Sequence, residues 1–251
     1  MIKNLLSFKF VFLTLFILFI SIQGHASDST GSLINWSTDR MRIWSSPGKS
    51  GYADAQESEI EAIERYQEIA EAASEVAYDP SEAPLYSGSI GRAQTLALLL
   101  SIASFESGGF SKNVDLGIGA YANGDHGNSW CMMQVRLSTI NPLTNKTYQR
   151  VALKDDVIEY TTDPTVGFGG EDLIADRVAC FRVGLHAVRM SFKACAQNIP
   201  LYRLAVYTSG KCDTGHTASS LRITRAMNWL SITPPPFEDE IAMGFFNPSI
   251  D

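Results

Sequence analysis

The segment from Gly91 to Phe105 constrains the fold of this chain more than any other part of the sequence. Its large aliphatic residues recur on every side of a helix: Leu96, Leu98, Leu99, Leu100 and Ile102. A helix that is apolar almost all round lies in the middle of a domain, because each of its faces must be removed from water. Gly108 and Gly109 follow the segment and are expected to end the helix.

Helical spacing of apolar residues recurs on both sides of this central segment. It predicts helices at Asp54–Ala77, about Glu171–Ala196, Ile199–Tyr207 and Ser219–Leu230. Between them, Trp130–Leu137 has the pattern of a strand or turn, and residues 138–170 are loop-rich. We therefore predict a mainly α fold with a minor β part, in which a helical domain carries a small loop-and-strand lobe at residues 112–140.

The first 26 residues have the layout of a secretory signal peptide. Lys3 and Lys9 precede a run of 13 apolar or hydroxyl residues from Phe10 to Ile22, and the small residues Gly24 and Ala26 suit a signal peptidase. The alternative is an uncleaved inner-membrane anchor, but spanning a bilayer takes roughly 20 apolar residues. We favour cleavage and an exported protein, either periplasmic or secreted.

The rest of the chain divides into three predicted parts. Residues 27–52 are rich in Ser, Gly and Thr and predict an irregular arm that packs Trp36 and Trp44 on the domain. Residues 53–232 form the predicted domain. Residues 233–251 begin with a run of prolines and continue as an acidic tail.

The charge of the chain argues against nucleic acid as a partner. The net charge is −7, and it becomes about −9 without the two lysines of the signal segment. No cluster of Lys and Arg provides the basic face that phosphate binding needs. An acidic protein also gains no general attraction to a ligand rich in carboxylates, so such a ligand would have to be recognised in a specific groove.

Four cysteines, Cys131, Cys180, Cys195 and Cys212, suggest two disulfides in an exported protein. Cys180 and Cys195 would be about 22 Å apart along one helix, which excludes that pairing. Of the two remaining pairings we favour Cys131–Cys180 with Cys195–Cys212. Four buried free thiols are the other alternative.

Glu106 is the candidate catalytic residue. It ends the apolar helix and precedes Ser107 and two glycines. Burial raises the pKa of a carboxyl group, and a glycosidase needs such a group to protonate the leaving oxygen. The alternative is a glutamate at a helix end that faces solvent.

Two downstream segments strengthen the catalytic interpretation. Residues 124–135 read GDHGNSWCMMQV, which resembles the Gly-Asp-x-Gly-Asn loop and Gly-Leu-Met-Gln-Val block of goose-type lysozymes and lytic transglycosylases. Residues 205–210 read AVYTSG and resemble the Ala-x-Tyr-Asn-Ala-Gly block of the same families. With Glu106 these blocks occur in family order across residues 53–230. The resemblance implies a lysozyme-like fold with a glycan cleft.

The resemblance also implies a role for individual residues. Glu106 corresponds to the catalytic acid, and Ser107 to a serine that lines the cleft beside it. Asp125 corresponds to the first cleft aspartate of goose-type enzymes and Gln134 to a glutamine that contacts sugar. Tyr207 corresponds to the tyrosine whose hydroxyl orients the catalytic glutamate.

One departure from the family pattern bears on the reaction. Goose-type lysozymes have a second aspartate directly after the Gln-Val pair, where this chain has Arg136. A hydrolase generally uses a second carboxylate to activate water. A lytic transglycosylase needs only one, because the attacking muramoyl hydroxyl belongs to the substrate. We therefore expect a transglycosylase, with a muramidase that uses Asp125 as the first alternative.

A lysozyme-fold protein without activity, which binds glycan or assists a secretion apparatus, is the second alternative. It is motivated by the departures at Cys131, Arg136 and Thr208. The expected partner is the glycan strand of peptidoglycan, with envelope or secretion machinery as a further candidate. No cofactor is expected. No metal site is expected either, because the histidines lack ligand spacing. The sequence does not indicate an oligomeric state.

Overall fold

The computed structural model describes residues 31–45, 56–119, 124–140, 147–155 and 157–236. The predicted signal peptide and most of the predicted acidic tail lie outside these ranges. None of the helices within them is long and apolar enough to cross a membrane.

The fold is mainly helical, as predicted, with only small antiparallel sheets. Helix α1 covers residues 31–44. The remaining helices are α2 Glu59–Tyr78, α3 Gly91–Glu106, α4 Lys112–Asp115, α5 Gly124–Gly127, α6 Gly170–Ala175, α7 Arg177–Ala194, α8 Ala205–Ser209 and α9 His216–Ile232, with a 3₁₀ turn at Pro200–Tyr202. The strands pair as three hairpins: β1 Ser129–Trp130 with β2 Val135–Arg136, β3 Thr139–Ile140 with β4 Thr147–Tyr148, and β5 Arg150–Lys154 with β6 Val157–Thr161.

Helix α3 is the centre of the core, as its sequence predicts. Its five large aliphatic residues between 96 and 102 are all fully buried. Helices α2, α7 and α9 pack around it. Burial of a leucine side chain contributes about 2 kcal/mol, so this helix is a major source of stability. The Ser107 hydroxyl donates to the Ala103 carbonyl (2.6 Å) and accepts from the Phe110 amide (2.9 Å), which turns the chain at the helix end.

Helix α2 begins later than predicted because Ser58 caps it. The Ser58 hydroxyl accepts from the Glu61 amide (3.3 Å), and the Glu61 carboxylate accepts from the Ser58 amide (2.7 Å). This reciprocal pair is a capping box, which fixes the first turn at Glu59 rather than Asp54.

The prediction of an irregular arm is wrong for residues 31–44, which are helical. Leu33, Trp36 and Met41 recur at helical spacing and are buried. The Trp36 ring stacks on Trp229 of α9 at 3.8 Å, and its indole N–H donates to the Thr233 carbonyl (3.1 Å). Packing against α9 therefore determines the helix, although Ser and Thr have modest helix propensity.

The long helix predicted at Glu171–Ala196 is two helices, with a break at Asp176. The backbone of Asp176 is extended, and its carboxylate accepts from the Ala179 amide at 3.0 Å. Aspartate is a preferred N-cap residue, so it starts α7 afresh instead of continuing α6.

The small lobe is larger than predicted, because residues 147–161 contain strands rather than only loops. In the β5–β6 hairpin, Val151 and Ile158 are buried. Each strand has five residues, too few for the alternating pattern to stand out among the surrounding glycines and prolines.

The favoured disulfide pairing is confirmed. Cys131–Cys180 joins the turn between β1 and β2 to helix α7, and Cys195–Cys212 joins the end of α7 to the segment before α9. Two disulfides are typical of a protein that folds in an oxidising environment, as exported proteins do.

Candidate active site

A cleft of about 810 Å³ separates the helical core from the small lobe. Four side chains singled out from the sequence line it, although they come from distant parts of the chain: Glu106, Asp125, Gln134 and Tyr207. Arg136 and Arg222 also line the cleft, and Ile158, Ala187 and Met190 form an apolar part of its wall.

Glu106 lies at the C-terminal end of α3, and 21% of its side chain is exposed. Arg222 donates two hydrogen bonds to its Oε1 atom, from Nε (3.0 Å) and Nη2 (2.8 Å). Burial raises the pKa of Glu106; the charge and hydrogen bonds of Arg222 oppose this increase, and the charge of Asp125 adds to it. The increase prevails, so the protonated form persists to higher pH than in an ordinary glutamate.

Arg222 is the functional candidate that the sequence reasoning missed. Its Nη1 donates to the Ala218 carbonyl (2.9 Å), and its guanidinium lies 4.8 Å from the centre of the Phe105 ring. These contacts hold it in position before any ligand binds. A partial signal was present: Arg222 and Arg225 are one turn apart in the helix predicted at Ser219–Leu230, and charged side chains on a helix that packs in a domain need partners.

Asp125 and Gln134 belong to the same stretch of the small lobe. The Asp125 carboxylate accepts from the Ser129 hydroxyl at 2.9 Å. The Gln134 amide accepts from the Gly124 amide (2.8 Å) and donates to the Cys131 carbonyl (2.9 Å). Gln134 therefore ties the two ends of this stretch together while it lines the cleft.

Tyr207 makes a different contact from the one that the resemblance implies. Its hydroxyl donates to the Met133 carbonyl, and thus joins α8 to the small lobe. Burial, reinforced by the charge of Glu106, holds the pKa of Tyr207 well above its ordinary value, so the hydroxyl stays protonated. Arg222, rather than Tyr207, supplies the hydrogen bonds that orient Glu106.

Ser107 does not line the cleft, contrary to the implied role. Only 3% of the residue is exposed, and its hydroxyl is used by the backbone at the end of α3. Ser107 therefore affects the cleft only indirectly, because it shapes the helix end that carries Glu106.

The histidine on α7 lies among charged side chains that pair with one another. His186 is buried and lies 3.1 Å from the Glu82 carboxylate, which also pairs with Arg189. Within the described ranges, no three His, Cys, Asp or Glu side chains are grouped as metal ligands.

Comparisons of the chain with protein-family models, curated proteins and solved structures found no significant match. The features of the chain that bear on its function are therefore the geometry of the cleft and the short sequence blocks that contribute residues to it.

Proposed function

We propose that this protein is an exported peptidoglycan lytic transglycosylase that acts in the periplasm or after secretion, with Glu106 as its catalytic acid. The observation that carries the proposal is a partly buried carboxyl group with a raised pKa, placed in a cleft large enough for a polymer segment. The blocks that resemble goose-type lysozymes and lytic transglycosylases contribute other residues to the same cleft. A lysozyme-like fold is part of this proposal.

The proposed reaction uses Glu106 twice. Its carboxyl group first donates a proton to the oxygen of the β-1,4 bond between MurNAc and GlcNAc, and that bond breaks. Its carboxylate then accepts the proton of the muramoyl C6 hydroxyl as that oxygen bonds to C1, which closes a 1,6-anhydro ring. No water is consumed, and the attacking group is held close by its own sugar.

Arg222 has a positioning role in this scheme. Its two hydrogen bonds to Glu106 both go to Oε1, which leaves Oε2 as the oxygen available to hold the proton. Its positive charge also stabilises the carboxylate after proton donation, so the group can act as a base in the second step.

A muramidase is the second candidate, and the position of Asp125 favours it. Asp125 lines the same cleft and its charge acts on Glu106. Among the described cleft residues it is the second carboxylate that a hydrolase would use to activate water. The products would be reducing sugars, each heavier by one water than the anhydro product.

A glycan-binding protein without activity is the third candidate. The ion pair between Glu106 and Arg222 favours it, because an arginine beside a carboxyl group stabilises the ionised form that cannot donate a proton. This candidate predicts binding of glycan strands with no bond cleavage.

The test is the mass spectrum of products released from purified sacculi. We expect anhydromuropeptides from the wild type and a loss of at least about 10³-fold in rate for Glu106→Gln. Glu75→Gln, which makes the same change on the exposed face of α2, serves as the control and should keep full activity. Reducing-end products would support the muramidase instead, and full activity in Glu106→Gln would overturn the catalytic assignment.

A further inference from the structure

Arg136 is a cation of the cleft that no carboxylate in the described ranges neutralises. The second arginine of the cleft, Arg222, is paired with Glu106. Arg136 is exposed, and the hydrogen bond that the structure gives it goes from Nε to the Ser138 carbonyl at 3.2 Å. The outer nitrogens of its guanidinium therefore remain available for an anionic ligand.

The backbone around Arg136 fixes where that charge lies. Arg136 is in β2, paired with Ser129 of β1, and follows Gln134 by two residues. The turn between the two strands is joined to α7 by the Cys131–Cys180 disulfide. Because the hairpin backbone is held in place, only the Arg136 side chain has to be ordered when a ligand binds, which favours recognition at one position.

The surroundings of Arg136 suit a ligand that is partly apolar. Burial raises the pKa of Tyr160 on β6, and the positive charge of Arg136 opposes this increase. The two side chains are therefore close to each other. Ile158 and Met190 line the cleft nearby, and the Ile158 amide lies 3.4 Å from the Met190 sulfur. This part of the cleft combines one cation, one phenol and an apolar surface.

We infer that Arg136 binds a carboxylate of the stem peptide carried by the muramoyl sugar, so that the enzyme prefers peptide-bearing glycan strands to bare ones. The inference rests on the proposed function, since it identifies which form of that substrate the cleft accepts. Stem peptides offer carboxylates next to small apolar side chains, and an arginine binds a carboxylate through two parallel hydrogen bonds.

The charge of the whole protein supports a local site of this kind. The chain has a net charge of −7, so it repels an anionic polymer at long range. Attraction to a carboxylate must then come from groups close to it, and Arg136 provides an unpaired cation inside the cleft.

The test compares cleavage of two substrates: purified glycan strands with their stem peptides, and the same strands after an amidase has removed the peptides. We expect the wild type to cleave the peptide-bearing strands about tenfold faster at subsaturating concentration. In Arg136→Gln this ratio should fall close to one, and Arg136→Lys should restore part of it because the charge remains. Arg42→Gln, at an exposed arginine of α1, is the matched control and should keep the wild-type ratio.

A binding measurement separates failure of this inference from failure of the proposed function. Glu106→Gln protein, with and without Arg136→Gln, is titrated with both kinds of strand. Affinity that depends on Arg136 and on the peptide, without cleavage by the wild type, would support the inference and contradict the transglycosylase. Cleavage with the same substrate ratio in wild type and Arg136→Gln would overturn the inference and leave the transglycosylase standing.

Discussion

The two walls of the cleft obtain their geometry in different ways. The helical wall holds Glu106 and Arg222 on α3 and α9, whose apolar residues pack against each other. The lobe wall holds Asp125 and Gln134 on a short stretch with little regular structure, where both residues have a positive φ (51° and 46°). Packing of two long helices fixes the first wall, whereas the second adds hydrogen bonds and a disulfide to its packing.

The lobe wall contains residues whose backbone conformation is strained. Cys131, between the two lobe residues, also has a positive φ of 56°. Residues other than glycine adopt this region rarely, and it costs of order 1–3 kcal/mol at each position unless the surroundings impose it. The lobe wall therefore depends on its cross-links to an extent that the helical wall does not.

Removal of the Cys131–Cys180 disulfide should have the largest effect of all the substitutions, because it releases the lobe wall and leaves the helical wall intact. The loops closed by the two disulfides span 49 and 17 residues, which correspond to losses of about 4 and about 3 kcal/mol when each is replaced by two serines. We expect Cys131→Ser/Cys180→Ser also to lose most activity, because the lobe wall relaxes. Urea unfolding and sacculus cleavage, measured where each variant is folded, provide the two readouts.

Cys195→Ser/Cys212→Ser is the matched control for that experiment. Its disulfide joins the end of α7 to the segment before α9 and does not cross-link the lobe wall, so its loss should lower stability without a comparable loss of activity. Equal losses of activity in both double variants would mean that the lobe wall has no special dependence on its cross-link.

Arg222→Gln tests the helical wall. We expect kcat/KM at the optimum to fall about 10- to 100-fold, since Glu106 loses both hydrogen bonds that orient it. Removal of the positive charge should also raise the pKa of Glu106, so the alkaline limb of the pH–rate profile should move to higher pH. A purely structural role for Arg222 would lower the rate without moving that limb.

Arg225→Gln is the control for Arg222→Gln. Arg225 stacks on the same Phe105 ring, 3.9 Å from its centre, but donates to the Ser104 hydroxyl (3.0 Å) instead of Glu106. Its replacement should leave the alkaline limb at the wild-type pH. A shift of equal size in both variants would assign the effect to the ring contacts.

The smallest expected effect is on the stability of Glu106→Gln. The pKa of Glu106 is raised in the folded protein, chiefly by burial, so the folded state binds more protons than the unfolded state as pH rises above about 4. The contribution of Glu106 to the free energy of unfolding is fully present below that pH. It is lost as the pH rises through the pKa of Glu106 in the folded protein. Glutamine does not titrate, so Glu106→Gln should gain about 1–3 °C in Tm over the wild type between pH 4 and 7. A Tm difference independent of pH would contradict the raised pKa.

The sequence predicted those features that depend on one local pattern. The central helix α3 follows from its apolar residues, and Glu106 from its position at the end of that helix. For the disulfides, helix length excluded only the pairing of Cys180 with Cys195, and the choice between the other two pairings needed the structure.

Features that depend on distant partners were not predictable in the same way. Arg222 reaches Glu106 across 116 positions of sequence, and only the packing of α9 on α3 brings them together. The capping role of Asp176 depends on local backbone geometry, which helical periodicity does not report. The contact between Tyr207 and Met133 likewise joins two segments whose proximity no local pattern indicates.

The helix at residues 31–44 sets how far the helical core could lie from a membrane. Trp36 fastens that helix to α9, so its residues belong to the body of the domain and add no reach. If the apolar run that ends at Ile22 were kept as an anchor, residues 23–30 would be the whole tether, at most about 28 Å when fully extended. If the proposed activity is correct, such a form would cleave glycan only within a narrow layer above the bilayer, whereas the processed form would reach the entire wall.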